Sequence, residues 1–272
     1  LGYTEATGIL PLRHRIARYY RKVHDLTVDP DEVLVTTGSS GGFLLTLLAA
    51  FEAGDKVALT RPGYPAYRND IVAVGCEPVE LAVGEEDRFQ PTVAMLDALP
   101  EPPAGLVVAS PSNPTGTIID ADELAAIAAW GREHDCLLIS DEIYHGISFG
   151  RRCACAREFS PDAVVVGSLS KYHSMTGWRL GYALGPKDII KTMTKIHQFA
   201  IMSAPTMAHD AAVVALQPET DGAVQEIADG GEASYTLVRE GGLQLVRGGA
   251  RANVTTVEGQ LELESGAVSN YA

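Results

Sequence analysis

Positive charge is scarce in this sequence, and so is sulfur. Lys and Arg total 21 against 35 Asp and Glu, a formal net charge of −14 over 272 residues. That balance argues against nucleic acid or an anionic membrane as the main partner, so any anionic ligand needs a local cationic pocket. No apolar run approaches the ~18 residues of a membrane span. The start, Leu1-Gly2-Tyr3-Thr4-Glu5, has neither the basic nor the apolar region of a secretory leader. The lack of an initiator Met points to a start further upstream. The only cysteines are Cys76, Cys136, Cys153 and Cys155. Two lie in apolar segments, and Cys153-Ala154-Cys155 is too closely spaced for a zinc knuckle. The expectation is free thiols in a cytoplasmic protein with no metal site.

What is present is a repeated grammar of short apolar runs and polar turns. Ile9, Leu12, Ile16, Ala17 and Tyr20 recur at helical spacing, which predicts an amphipathic helix whose Arg13, Arg15 and Arg18 face solvent or an acidic partner surface. Val33 to Thr37 reads as a buried strand, followed by Gly38-Ser39-Ser40-Gly41-Gly42 and an apolar helix from Phe43 to Phe51. Further strands are predicted at 55–60, 106–110, 136–140, 163–167 and 180–184. A helix begins near Asp120, with Glu123 placed to complete a capping box. Continuous apolar strands alternating with helices imply a mostly parallel sheet covered on both faces, with ligands collecting at the carboxyl ends of its strands. The polar clusters fall there. From Gln217 onward the periodicity is weak, with no internal repeat and no strand except one near Ala252 to Val257. We place a boundary there: 1–217 as the large domain, 1–25 as its N-terminal arm and helix, and 218–272 as a truncated or divergent end.

Three clusters can carry chemistry. Ser168-Leu169-Ser170-Lys171 follows a strand, with Arg179 eight residues on. A lysine there can form an imine while the arginine anchors a phosphate, or both can be solvated loop residues. Gly38-Ser39-Ser40 lies between strand and helix, where free N–H groups and the helix dipole bind phosphate, unless it is a plain connecting loop. Asp141 ends an apolar strand, so its carboxylate needs a partner. A pyridinium N–H suits it, and capping the next helix suits it equally.

Together the segments resemble the class I/II aminotransferases, fold type I of the pyridoxal 5′-phosphate (PLP) enzymes, with aspartate-aminotransferase-like organisation. Those segments are Tyr3 to Arg13, Thr37 to Gly42, Pro62-Gly63-Tyr64-Pro65, Ser112 to Gly116, Asp141-Glu142-Ile143-Tyr144, and Ser168 to Gly181. The similarity runs from Tyr3 to about Leu216. It implies that Lys171 forms the Schiff base and then shuttles the substrate proton. It implies further that Asp141 pairs with the pyridine nitrogen, that Asn113 and Tyr144 hydrogen-bond the ring O3′, and that Tyr64 stacks on the ring. Gly38, Ser39, Ser40, Ser168, Ser170 and Arg179 would cradle the phosphate. Tyr3 matches a residue that reaches the phosphate of the neighbouring subunit, which implies a homodimer. His145 and His173 gain no catalytic part from it.

The implied activity is transfer of an amino group between an amino acid and a 2-oxo acid. A PLP-dependent β-lyase or synthase of the same fold, or a PLP-binding fragment of little activity, are the other readings. The family's small C-terminal domain carries an arginine for the substrate α-carboxylate. Arg239, Arg247 and Arg251 are available, but none lies in a matching context.

Overall fold

The computed structural model describes residues 2–148 and 150–216, and the backbone of short strands between 224 and 270. The chain divides into two compact units, Leu1–Ala212 and Val213–Ala272. In the first unit the strands are β1 (Val33–Thr36), β2 (Lys56–Arg61), β3 (Glu77–Ala82), β4 (Gly105–Ala109), β5 (Leu137–Asp141), β6 (Val164–Ser168) and β7 (Gly181–Leu184). The helices are α1 (Leu10–His24), α2 (Gly38–Ala50), α3 (Pro65–Ala73), α4 (Val93–Asp97), α5 (Ala121–Glu133), α6 (Lys187–Ala200) and α7 (Thr206–Ala215), the last of which runs past Ala212. One seven-stranded sheet runs in the order β1-β7-β6-β5-β4-β2-β3. Neighbours pair in parallel except β7, which is antiparallel to both β1 and β6. No described helix is long and apolar enough to cross a membrane.

All five residues of β4 are buried, as are the first four of β6, so side chains on both faces of those strands are covered. The helix α2 is apolar nearly all round and serves two cores. Its Phe43 and Leu47 pack with Val57, Val107, Ile139 and Val166, while its Leu45 packs with Leu34, Ala183, Ile190 and Met193. The predicted capping box holds at α5, where the Asp120 N–H donates to the Glu123 carboxylate at 3.3 Å.

Three local expectations need correcting. Arg13 does not face solvent. It lies on the same helical stripe as Leu12, Ile16 and Tyr20 and is buried. Its guanidinium donates to the carbonyls of Gly8 (3.2 Å) and Pro30 (3.0 Å) and to Asp31 (3.0 Å), which satisfies the charge locally. The helix after β1 begins at Gly38 rather than Phe43, so the Gly/Ser run is its first turn. The strand β3 was absent from the sequence reading, because it is a half-exposed edge strand carrying Pro78 and Glu80.

In the second unit short parallel strands pair in threes: Val224, Leu243 and Gln260 are in register, and so are Glu232, Arg251 and Val268. The expected strand near Ala252 to Val257 is divided between Arg251–Asn253 and Thr256–Val257. That regular pairing had no counterpart in the sequence reading. Arg239 and Arg247 lie outside the described residues.

Candidate active site

Sheet register brings the candidate residues to one edge. The last residue of β5, Asp141, is level with Ala109 of β4 and Val166 of β6. The chain leaving β4 therefore carries Asn113 past Asp141, and the chain leaving β6 carries Lys171. Because β7 is antiparallel, it starts where its neighbours end. Gly181 is level with Thr36 of β1 and Ser168 of β6, which places Arg179 beside the first turn of α2. The result is one open cavity of about 770 Å³, its mouth included. Ser39, Ser40, Tyr64, Asn113, Asp141, Tyr144, Ser170, Lys171 and Arg179 all line it.

Two close approaches shape the anion-binding side. A Cβ on Gly181 would lie 2.5 Å from the backbone of Gly38 and Ser39, and one on Gly38 would lie 2.8 Å from Arg179. At Gly181 only hydrogen fits, because its neighbours are backbone, and at Gly38 the positive φ of 71° itself favours glycine; the guanidinium thus lies beside the α2 N-terminus, where free N–H groups and the helix dipole favour an anion. Arg179 takes a left-handed conformation (φ 51°) and donates to the Thr176 carbonyl at 3.1 Å. A left-handed non-glycine residue costs about 1–2 kcal/mol, and such strain concentrates at functional sites.

Asp141 is 5% exposed. Burial pushes its carboxyl up to about 6, against hydrogen bonds from the Tyr67 hydroxyl and the Ile143 N–H (3.1 Å) that favour the ionised form. Tyr144, half-buried, has its hydroxyl pushed up by burial and by Asp141, with an opposing hydrogen bond to Asn113. The Lys171 amine stands 5.7 Å from the centre of the Tyr144 ring.

Three predicted residues lie elsewhere. Ser168 does not line the cavity; its hydroxyl donates to the Leu180 carbonyl (3.1 Å) and accepts from the Ser170 N–H (3.0 Å), bracing the loop that holds Lys171. Gly38 is buried behind Arg179. Tyr3 is 86% exposed and apart from the cavity of its own chain. The sequence reading missed Tyr67, which is buried and bonds Asp141. The signal was available: Tyr64 and Tyr67 are three apart at the start of a helix, hence on one side of it, and their rings meet edge to face at 5.5 Å.

The profile of aminotransferase class I and II matches residues 1–255. The chain belongs to that family. It is 50% identical over 241 residues to the valine–pyruvate aminotransferase of Mycobacterium tuberculosis, covering 88% of this chain and 61% of that protein. Among solved structures, an aminotransferase from Mycobacterium tuberculosis superposes with a TM-score of 0.79 at 51% identity, over 80% of this chain and 57% of that one. The aspartate aminotransferase of Thermus thermophilus with maleate gives 0.78 at 32% identity, over 80% of this chain and 58% of that one. The chain thus spans about six-tenths of the curated relative's length. Class I and II aminotransferases use PLP. The donor set here fits such a group: a buried carboxylate for a ring N–H, hydroxyls, a guanidinium and a helix N-terminus for a phosphate, and an amine in the same cavity.

Proposed function

We propose that the chain is the cofactor-binding part of a PLP-dependent aminotransferase that moves an amino group between an amino acid and a 2-oxo acid, acting as a homodimer. The observation that carries this reading is a single cavity gathering the Lys171 amine, the buried Asp141 carboxylate and the anion-binding set of Ser39, Ser40, Ser170 and Arg179. When bound, PLP supplies an electron sink for the charge that develops at the substrate Cα.

This chain's residues are assigned the rest. Lys171 provides the attachment amine and moves the proton at the substrate Cα. Asp141 accepts the ring N–H, and a cationic donor there offsets the burial that otherwise raises its pKa. Asn113 and Tyr144 bond the ring O3′, and Tyr64, at the rim, offers a flat face to the ring. Ser39, Ser40, Ser170 and Arg179 hold the phosphate, with Arg179 bidentate. Ser168 and Gly38 serve it indirectly, one by bracing the loop and the other by leaving room for Arg179. Tyr3, free of its own cavity, is assigned to the phosphate of a second copy.

The test is a half-reaction. The relative's name supplies the first pair to try, valine as donor and pyruvate as acceptor. Purified chain loaded with PLP and mixed with a panel of amino acids led by valine is expected to shift the cofactor absorbance to its aminated form. Release of pyruvate and ammonia with the absorbance retained would make it a lyase, and no change with any amino acid would make it a binding fragment.

Tyr67 gives a pH prediction. Tyr67→Phe removes a donor that favours ionised Asp141, so the carboxyl should protonate at higher pH. Hydrogen bonds to charged groups contribute about 1.5–3 kcal/mol, or roughly one to two pH units. The loss of PLP affinity on the acid side is expected to move upward by that amount in a fluorescence titration. Superimposable wild-type and Tyr67→Phe profiles would refute the coupling.

A further inference from the structure

Immediately behind the cavity lies a buried acid–base pair that the proposed chemistry does not use. Side chains alternate along a strand, so Ser140 and Glu142 point away from the face that Asp141 presents. Glu142 is 4% exposed and His145 is 8% exposed. One Glu142 oxygen, Oε1, accepts from the Ser140 hydroxyl (3.0 Å) and the Ala156 N–H (2.8 Å). The other, Oε2, is buried with no hydrogen-bond partner and stands 3.3 Å from Nδ1 of His145. Nε2 of His145 lies 3.0 Å from the Ser110 carbonyl oxygen. A carbonyl can only accept, so Nε2 carries a proton and the neutral ring keeps its lone pair on Nδ1. Two acceptors therefore face each other out of water, and a single proton between them serves both.

The pair also joins the two segments that hold the cofactor residues. The His145 N–H donates to the Glu142 carbonyl at 3.0 Å, closing the turn that carries Asp141 and Tyr144. Through Ser110 the imidazole reaches the start of the loop that carries Asn113, and the Ser110 N–H returns to the Asp141 carbonyl at 3.2 Å. We propose that Glu142 and His145 share one proton between Oε2 and Nδ1, forming a brace that positions Asp141 and Tyr144 against Asn113. The positioning role rests on the PLP reading above; the shared proton does not.

Burial pushes the Glu142 carboxyl up to about 7 and the His145 imidazole down to about 3, the latter helped by His24, whose ring is 5.5 Å away. Other groups face the pair. They are Cys153, Cys155 (its thiol hydrogen-bonded to the Glu142 carboxylate), Glu158 and Arg152 from the segment after the turn, Tyr19, Tyr20 and His24 from α1, and Tyr182 from β7. Burial raises the thiols and the phenols, so they stay neutral between pH 4.5 and 6.5. Glu158 and His24 bond each other at 2.8 Å and are common to wild type and variants.

At the centre of that window, near pH 5.5, the unfolded pair holds one proton, almost wholly on His145, because the ordinary values are 4.5 for Glu and 6.5 for His. The folded pair also holds one. Unfolding then exchanges no proton at this site, and the pair adds no slope to stability against pH. Glu142→Gln changes the count: its folded pair holds none, while the unfolded chain still protonates His145. Where the unfolded state binds more protons, stability rises with pH. The variant's folding constant should therefore climb by up to just under tenfold per pH unit relative to wild type, about 40- to 50-fold from 4.5 to 6.5. His145→Phe should show the opposite slope, because Glu142 keeps its proton only when folded.

The experiment is denaturant unfolding of the full chain without cofactor, from pH 4.5 to 6.5, for wild type and both variants. PLP affinity and absorbance at pH 7.5 are then compared. The glutamine amide supplies a permanent donor toward Nδ1 and an acceptor for Ser140 and Ala156, so Glu142→Gln should fold and bind PLP as wild type does. His145→Phe should bind it at least about tenfold more weakly. A Glu142→Gln curve parallel to wild type, or a Glu142→Gln chain that does not fold, overturns the shared proton. Unchanged PLP affinity and absorbance in His145→Phe overturns the positioning role. A wild-type chain that binds no PLP sinks the functional reading instead, and the unfolding slopes still decide the proton.

Discussion

Lys171→Ala is expected to leave no covalently held cofactor. In wild type, borohydride reduction should fix the mass of PLP to the peptide containing Lys171, and the holoprotein should be yellow. The variant should yield neither, and its turnover should fall by at least about 10²–10⁴-fold, the usual contribution of one positioned proton-transfer group. Stability is expected to stay within about 0.5 kcal/mol of wild type, because the side chain is exposed and makes no core contact. The competing lysines are poorly placed. Lys187, Lys191 and Lys195 lie on α6, away from the cavity, and Lys187 pairs with Asp29. Among the described residues Lys171 is the one lysine that lines the cavity. Cofactor mass on an α6 peptide, or an undiminished yellow colour in Lys171→Ala, would overturn the assignment.

How much of this was legible in the sequence follows from what each signal depends on. The strands β4, β5 and β6 are buried on both faces, so they read as unbroken apolar runs, and their polar ends announced Asp141, Asn113 and Lys171. Tyr67 went unread, Glu142 was read only as part of the segment from Asp141 to Tyr144, and His145 only as a flanking residue with no catalytic part. Their partners are brought together by sheet register and by the turn after β5, and no spacing rule predicts that a carboxylate oxygen will face an imidazole behind the sheet. Arg13 misled for a related reason. Charge on an amphipathic helix implies an outward face, unless carbonyls and a carboxylate from the chain around Gly8 and Asp31 converge on it. The short strands of the second unit, two to four residues each, fall below the length at which alternation can be recognised.

Arg179→Ala is expected to weaken PLP binding more than Asp141→Ala does. Assigned to a dianionic phosphate, Arg179 would offer charge-assisted hydrogen bonds, each contributing about 1.5–3 kcal/mol, so losing one or both should raise the dissociation constant by roughly 10- to 10³-fold. Although its side chain is exposed, its bond to the Thr176 carbonyl and its place beside Gly38 direct the guanidinium toward the α2 N-terminus. Arg179→Lys keeps the charge but not the fork, so it should recover part of the affinity and not all of it. Asp141 acts on a different property. Its carboxyl, already pushed up to about 6 by burial, is assigned to the ring nitrogen, where it would keep that nitrogen protonated, so Asp141→Ala should show first in the rate of proton transfer at the substrate Cα. Equilibrium titration with PLP and single-turnover kinetics with an amino donor separate the two effects. If Asp141→Ala lost affinity while Arg179→Ala bound PLP like wild type, the phosphate and the ring nitrogen would have been assigned to the wrong sides of the cavity.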